Sequence, residues 1–289
     1  MKNQLANLPS HLIWPVPDMS IPAAILLGII QGLTEFLPIS SSGHLVLFQT
    51  LLGFSEPELL FDSALHMGTL VAVCLYFHSD IKKMFGESWV FLTGWVKGRK
   101  GIGQIRDTPM AGLSLAVIAG TIPTGLIGII FRSTVERLFG SVIFSGIMLL
   151  CTGGILAVSR WIPLRRARER APGLPTALLV GTAQGVAILP GISRSGATIV
   201  CGMLCGLSRD LAARFSFLLS IPAIIGALSL QWSTQGLDRV GLLALVVGFA
   251  TSALVGILAL KLLMAMVKKG HLFYFAPYCF LVGLLILLI

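Results

Sequence analysis

Six apolar stretches of about 20 residues dominate this chain and limit what it can fold into. They cover residues 61–78, 109–131, 141–160, 211–231, 240–267 and 272–289. A helix needs about 20 mostly apolar residues to cross the hydrocarbon core of a bilayer. Charged residues make up only 11% of the 289 positions, whereas soluble domains contain roughly 25%. The pattern predicts an all-α polytopic membrane protein with six transmembrane helices, folded as a single domain over residues 1–289.

Two further apolar regions, 20–53 and 174–207, are each interrupted near the middle. The first contains LPISSSG and the second contains LPGISRSG. Each half has about 12–16 residues, which at 1.5 Å per residue is too short to cross a bilayer alone. Backbone polar groups at membrane depth must be satisfied within the protein, so we expect two re-entrant helical hairpins.

The basic residues predict which side of the membrane each loop occupies. Fifteen Lys and Arg residues lie on one side, in the segments 79–108, 160–173, 208–214 and 268–271. The other side has only four: Lys2, Arg132, Arg137 and Arg239. This bias predicts that the basic side is cytoplasmic and that both termini are outside. The net positive charge of the chain is explained by this topology and by contact of the basic loops with membrane lipid, so we expect no nucleic acid partner. Within this side, residues 79–107 read as an amphipathic insertion at the membrane surface.

The two interrupted regions are related by an offset of 153 residues. GIIQGLTEFLPISSSG (28–43) aligns without a gap to GTAQGVAILPGISRSG (181–196), with seven identities in sixteen positions. Three spans follow each copy, an odd number, so the copies must have opposite orientations. The sequence therefore predicts an inverted repeat, with repeat 1 over about 20–160 and repeat 2 over about 174–289. Paired broken helices of this kind place their polar tips together near the membrane midplane.

The polar tips contain residues suited to a phosphorylated ligand. Helices that begin at Ser/Gly-rich turns present free N–H groups to anions. Arg194 offers a planar fork of donors that matches phosphate oxygens. Glu35 would then hold a divalent cation or act as a base, and Gln31, four residues earlier, shares its helix face.

Some roles stay open at this stage. Ser41 and His44 are close enough in sequence to be a nucleophile and a proton carrier, while each could instead make a structural hydrogen bond. A water molecule, or His44 itself, is the alternative nucleophile. Arg194 could simply be the ion-pair partner of Glu35. Asp62 and His66 are interpreted as a helix cap and a helix-packing group.

QGLTEFLPISSSGH (31–44) together with PGISRSGAT (190–198) resembles the undecaprenyl-diphosphatase family of the bacitracin-resistance type. The resemblance extends over nearly the whole chain and includes the FDSALHMGT and RFSFLLSIP segments. It places the family's [E/Q]xxxE element on Gln31 and Glu35 and its serine–histidine element on Ser41 and His44. Its PGxSRSGxT element falls on Ser193, Arg194 and Thr198. Many members have Glu at the first position, so Gln31 leaves Glu35 as the only carboxylate there.

The resemblance implies hydrolysis of undecaprenyl diphosphate in the bacterial inner membrane, at a site facing the periplasm or cell exterior. It also implies a divalent cation, Mg²⁺ or Ca²⁺, on Glu35 and Gln31. Catalytic roles are expected for Glu35, Ser41, His44 and Arg194. Substrate binding is expected from Gln31, Ser193, Arg194, Ser195, Gly196 and Thr198. A flippase for the lipid carrier, or an anion transporter using the same inverted repeat, is the alternative function, and the oligomeric state is left open between a monomer and a homodimer.

Overall fold

The computed structural model describes residues 19–54, 59–98, 108–139, 141–163, 170–231 and 240–288, and there the chain is helical, as predicted. Twelve α-helices occupy these residues: α1 (Ile21–Phe36), α2 (Ser41–Leu51), α3 (Leu59–Tyr76), α4 (His78–Val96), α5 (Pro109–Ile130), α6 (Arg132–Phe139), α7 (Val142–Val158), α8 (Leu174–Val186), α9 (Arg194–Leu204), α10 (Arg209–Gln231), α11 (Leu242–Lys268) and α12 (Ala276–Leu288). A 3₁₀ turn, Ser159–Trp161, extends α7, and a second one, Leu272–Phe275, precedes α12.

Five segments are long and apolar enough to cross a membrane, and they match five of the six predicted spans. They are Leu59–Tyr76, Pro109–Ile130, Val142–Trp161, Arg209–Ser229 and Leu242–Lys268. Only 33–44% of each apolar window is buried inside the protein. The remaining apolar surface includes side chains such as Ile129 and Leu258, which are both 66% exposed. Surfaces of this extent are unfavourable in water and suit a lipid environment, so the chain is a multi-pass membrane protein.

The sixth predicted span, 272–289, is shorter than expected. Its first four residues form the 3₁₀ turn Leu272–Phe275, and the α-helix begins only at Ala276. Pro277 is the second residue of that helix, a position in the first turn where the missing N–H of proline costs no hydrogen bond. By length and composition α12 therefore counts as a short apolar helix.

Each interrupted region consists of two short helices on either side of a turn. In the first region α1 ends at Phe36 and α2 begins at Ser41; in the second, α8 ends at Val186 and α9 begins at Arg194. The helix starts correspond at the offset seen in the sequence, since Ile21 pairs with Leu174 and Ser41 with Arg194. The breaks therefore lie where the Ser/Gly clusters predict them.

The packing partners of the two halves correspond in the same way. Helix α1 packs along α11 and α8 packs along α5, while α3 packs against α11 and α10 against α5. Helices α7 and α12 pack against each other, as do α3 and α10. Each interrupted region thus lies against a long helix of the other half.

Glycines allow the closest helix contacts. A Cβ atom on Gly28 or Gly32 of α1 would come within 2.8 Å of Thr251 or Val255 of α11. A Cβ atom on Gly181 of α8 would lie 2.1 Å from the backbone oxygen of Gly120 in α5. These positions need glycine because the opposing helix leaves no space for a side chain.

Replacing Gly181 with alanine should lower the free energy of unfolding by about 3 kcal/mol, at the upper end of the usual cost of overpacking. The obstacle is backbone, which cannot rotate away, and the clash outweighs the gain of about 1 kcal/mol in helix propensity. Thermal unfolding of the purified protein in detergent measures the effect. Gly125→Ala in α5 is the matched control, because a Cβ there meets nothing within 4 Å. Equal melting temperatures for the two variants would contradict this packing.

An ion-pair cluster joins three helices at one end of the molecule. Arg214 of α10 donates to both carboxylate oxygens of Asp80 in α4, at 2.9 and 2.8 Å, and to Asp210 at 2.7 Å. Lys268 at the end of α11 lies 3.1 Å from Asp210. The structure thus brings together the described parts of three segments that the sequence assigns to the basic side. Of the basic residues used for that prediction, eight lie outside the described residues: Lys2, Arg99, Lys100, Arg106, Arg165, Arg166, Arg168 and Arg239.

Helix α4 covers most of the segment predicted as an amphipathic insertion. It runs from His78 to Val96, and residues 99–107 lie outside the described residues. Phe85 and Trp89 are 75% and 69% exposed, while Phe91 is buried. The helix therefore has one side against the protein and large apolar side chains on its outer side.

Candidate active site

The site is built where the first residues of α2 and α9 meet the end of α1. Ser40 is the N-cap of α2, and its φ of 69° is the only positive value among the described non-glycine residues. Ser193, its counterpart, is an extended N-cap of α9 and accepts a hydrogen bond from Gly196 N at 3.1 Å. The turns that follow α1 and α8 thus bring Ser41 and Arg194 to the same carboxylate.

Glu35 is the centre of the site. It is 7% exposed, and its Oε1 accepts a hydrogen bond from the Arg194 guanidinium across 159 residues of sequence. Its Oε2 accepts from Ser41 Oγ at 2.6 Å and from Gln31 Nε2 at 3.1 Å. A buried charge needs such a partner, since a lone carboxylate inside a protein costs several kcal/mol. The pairing also directs the Ser41 hydroxyl proton at a carboxylate that can accept it.

His44 faces away from Ser41 towards α12. Its Nδ1 lies 2.8 Å from the carbonyl oxygen of Ser40, and its Nε2 lies 2.7 Å from the hydroxyl of Tyr278. A carbonyl only accepts, so Nδ1 carries the proton, and in the neutral ring Nε2 accepts from Tyr278. The structure therefore pairs His44 with Ser40 and Tyr278, which is the structural hydrogen bonding that the sequence left open for this residue.

The other predicted substrate-binding residues on α9 have protein partners. Ser195 Oγ donates to the carbonyl of Phe36 at 2.9 Å, which ties the start of α9 to the end of α1. Thr198 Oγ1 donates to the carbonyl of Arg194 at 2.7 Å and lies 2.5 Å from Ser216 Oγ on α10. These hydroxyls, together with the hydrogen bond from Gly196 N to the N-cap Ser193, hold the first turn of α9 in the position that brings Arg194 to Glu35.

Two residues near the site were not predicted by the sequence. His66 of α3 has its Nε2 3.8 Å from Glu35 Oε2, although the sequence suggested only helix packing. Tyr278 of α12 was not singled out at all. The spacing of four between Asp62 and His66 was the one available signal, because it places both on one face of a helix. It could not show that this face meets Glu35.

Few groups near Glu35 could hold a metal ion. Among the described residues there is no group of three or more His, Cys, Asp or Glu side chains suited to one. Gln31 is fully buried, and its Oε1 has no hydrogen-bond partner. The amide nitrogen now faces Glu35 Oε2, and a rotation of the amide by about 180° would set the oxygen beside that carboxylate one turn away. That pair fits a hard cation such as Mg²⁺, which binds through one or two protein oxygens and fills its other positions with phosphate and water.

An apolar crevice lies next to His44. It is formed by α2, α7 and α12, and its walls include Gly43, His44, Leu47, Leu149, Val282 and Ile286. The crevice is small, and its walls are mainly apolar.

Comparison with known proteins places the whole site within one family match. Residues 24–285 match the family described as bacitracin resistance protein BacA. The chain is 48% identical to the undecaprenyl-diphosphatase of Desulfatibacillum aliphaticivorans, over 91% of this chain and 96% of the relative. It is 45% identical to that of Desulforapulum autotrophicum, over 92% and 97%. It is 42% identical to that of Methanosphaera stadtmanae, over 94% and 98%.

Proposed function

The chain belongs to the bacitracin resistance protein BacA family, and we propose that the site around Glu35 carries out the reaction for which its relatives are named. The protein is an undecaprenyl-diphosphatase. It hydrolyses undecaprenyl diphosphate to undecaprenyl phosphate and inorganic phosphate, which returns the lipid carrier to cell-wall synthesis and confers resistance to bacitracin. The names of the relatives favour this hydrolase over a flippase or an anion transporter.

The contact between Arg194 and Glu35 is the observation that supports this site best. It unites the two interrupted regions, which are far apart in sequence, at one buried carboxylate. Arginine is suited to bind two phosphate oxygens at once, and a diphosphate carries enough charge to draw it away from Glu35. We expect the substrate diphosphate to bind Arg194 and the free N–H groups at the first turn of α9. Ser193, Ser195, Gly196 and Thr198 hold that turn in place.

Glu35 and Ser41 form the reacting pair. Ser41 Oγ attacks the terminal phosphorus, its proton passes to Glu35 Oε2, and the bond from that phosphorus to the bridging oxygen breaks. Undecaprenyl phosphate leaves, and water then attacks the phosphorus of the phosphoserine. The bond from phosphorus to Ser41 Oγ breaks, inorganic phosphate leaves with the protons of the water, and Ser41 Oγ takes its proton back from Glu35. The 2.6 Å hydrogen bond supports this direction of proton transfer. In the alternative, Glu35 activates a water molecule and Ser41 only positions it.

A divalent cation fits beside this pair. Glu35 and Gln31 would hold it together with oxygens of the diphosphate, and Mg²⁺ or Ca²⁺ is the expected ion. When bound, such an ion neutralises charge on the phosphoryl oxygens in the transition state. With such an ion bound, Glu35 would face the cation and Arg194 would be free to bind the diphosphate.

The inverted repeat accounts for how the site is assembled in the membrane. The starts of α1 and α8, and of α2 and α9, are separated by the same 153 residues, and the packing partners of the two halves correspond. Both observations support two halves of opposite orientation. In this arrangement α1–α2 and α8–α9 are re-entrant pairs, α12 is the sixth transmembrane helix, and α4 lies at the cytoplasmic surface. The excess of basic residues on one side supports a site that faces the periplasm or cell exterior of the inner membrane. The crevice beside His44 is the expected path of the prenyl chain.

Phosphate release from undecaprenyl diphosphate tests the function directly. The purified protein in detergent, supplied with Mg²⁺, should release inorganic phosphate, and removal of divalent cations with a chelator should stop the reaction. Failure to release phosphate from this or any other prenyl diphosphate would disprove the proposed activity.

We propose that His44 carries a proton during the reaction. Tyr278→Phe should then lower kcat about tenfold and leave KM nearly unchanged, because it removes the hydroxyl that pairs with His44 Nε2. The ring remains, so the fold should be intact. Tyr274→Phe is the control, since Tyr274 is 58% exposed and lies outside the site. Equal kcat values for both variants would show that His44 works without Tyr278.

A further inference from the structure

His66 is presented to the site by α3 in a fixed orientation. Its Nδ1 lies 2.8 Å from the carbonyl oxygen of Asp62, one turn earlier. Because that carbonyl can only accept, Nδ1 carries the proton, and the neutral ring has its lone pair on Nε2. That lone pair is on the nitrogen nearest Glu35, 3.8 Å from Oε2. The side chain is about one-third exposed, so the nitrogen is accessible.

This arrangement is typical of a histidine that binds a metal ion. Metal-binding histidines usually donate their second ring N–H to a carbonyl or carboxylate, which fixes the tautomer. The distance of 3.8 Å from Nε2 to Glu35 Oε2 is too long for a hydrogen bond. Two metal–ligand bonds of about 2.1 Å each can bridge such a gap.

Gln31 provides an independent indication of a ligand. Its side chain is fully buried, and its Oε1 has no hydrogen-bond partner. An unpaired buried amide oxygen costs roughly 1–3 kcal/mol, so a ligand that pairs with it would be favoured. In the structure the Gln31 Nε2 atom lies against Glu35 Oε2. A rotation of the Gln31 amide by about 180° would exchange its nitrogen and oxygen, and would place Gln31 Oε1 against Glu35 Oε2.

We propose that His66 Nε2 is the third protein ligand of a divalent metal ion that is also held by Glu35 and Gln31. This proposal rests on the proposed function, because the ion is the one expected at the diphosphate site. A histidine in the set changes the preferred metal. Sites that contain a nitrogen ligand bind first-row transition-metal ions, the series to which Mn²⁺, Co²⁺ and Zn²⁺ belong, whereas Ca²⁺ favours oxygen ligands. The chain should therefore bind Mn²⁺ more tightly than Ca²⁺.

Electron paramagnetic resonance of bound Mn²⁺ detects the ligand directly. Full-length protein in detergent is titrated with Mn²⁺, alone and with methylenediphosphonate, and pulsed spectra are recorded for ¹⁴N coupling. We expect native protein to show the coupling of one imidazole nitrogen. His66→Gln and His66→Ala should lose it, and their affinity for Mn²⁺ should fall about tenfold or more. His78→Gln is the matched control, because His78 is an exposed histidine at the start of α4 and should keep both signal and affinity.

The outcomes separate this proposal from the proposed function. Mn²⁺ bound to native protein without nitrogen coupling would overturn the role of His66, as would a coupling that survives in His66→Gln. Absence of Mn²⁺ binding in both conditions would also overturn it. In each of these cases phosphate release by the native protein would still support the diphosphatase activity. Nitrogen coupling without any phosphate release would instead retain the metal site and remove the function.

Discussion

We expect the Arg194→Ala protein to lose phosphate release by about 10³-fold or more in kcat/KM. Arginine stabilises charge on the phosphoryl oxygens in the transition state, and its loss in phosphoryl-transfer enzymes has effects of this size. The same change leaves Glu35 buried without the Arg194 guanidinium that balances its charge, which should destabilise the fold by about 3–5 kcal/mol. Steady-state kinetics and thermal unfolding on one preparation measure both effects.

A double variant separates catalysis from stability. Arg194→Ala combined with Glu35→Gln removes both charges of the buried pair, so the melting temperature should recover towards that of the native protein. Activity should not recover, because both the arginine that binds phosphate and the Glu35 carboxylate are absent. Arg194→Lys should retain part of the stability but bind the diphosphate poorly, since lysine lacks the planar fork. Native turnover in the double variant would rule out the proposed mechanism.

Ser41→Ala should reduce kcat by about 10³-fold or more if Ser41 is the nucleophile, with little change in stability. The side chain is only partly buried, and its hydroxyl donates a hydrogen bond to Glu35. Native enzyme quenched during turnover of substrate labelled in the terminal phosphate should carry the label on Ser41, as identified by mass spectrometry.

Ser42→Ala is the matched control for this prediction. Ser42 is the next residue along α2, and its hydroxyl lies 3.4 Å from Ser40 Oγ, not from Glu35. Its activity should stay within a few-fold of native. A reduction of only about tenfold in Ser41→Ala, with no labelled serine in the native enzyme, would assign the attack to water.

The helices and their interruptions could be predicted because they depend on local sequence. Runs of apolar residues define α3, α5, α7, α10 and α11, and the clusters LPISSSG and LPGISRSG define the turns before α2 and α9. The shortened last span was missed because a run of apolar residues does not distinguish a 3₁₀ turn from an α-helix. The proximity of Glu35 and Arg194 was predictable from the internal repeat, since the offset of 153 residues pairs Ser41 with Arg194.

The contacts of His66 and Tyr278 could not be predicted in this way. Helical spacing shows which residues share a face but not which helix that face meets. Tyr278 reaches His44 because α12 packs against α7 beside α2, and this depends on the shapes of several helices together. The pairing of His44 with Tyr278 is likewise a result of tertiary packing, because nearness in sequence does not set the direction of a side chain.

The contact of α1 with α11 has a consequence for how the protein is made. Gly28 and Gly32 fit against Thr251 and Val255, which are translated more than 200 residues later. At about 5–20 residues per second, the ribosome needs roughly 10–45 s to reach α11. During that interval the small-residue face of α1 has no permanent partner, and Glu35 lacks its arginine until α9 is made. The nascent first half therefore enters the membrane with Glu35 held only by groups of its own half, such as Ser41 and Gln31, and the buried charge gains its arginine only when the second half arrives.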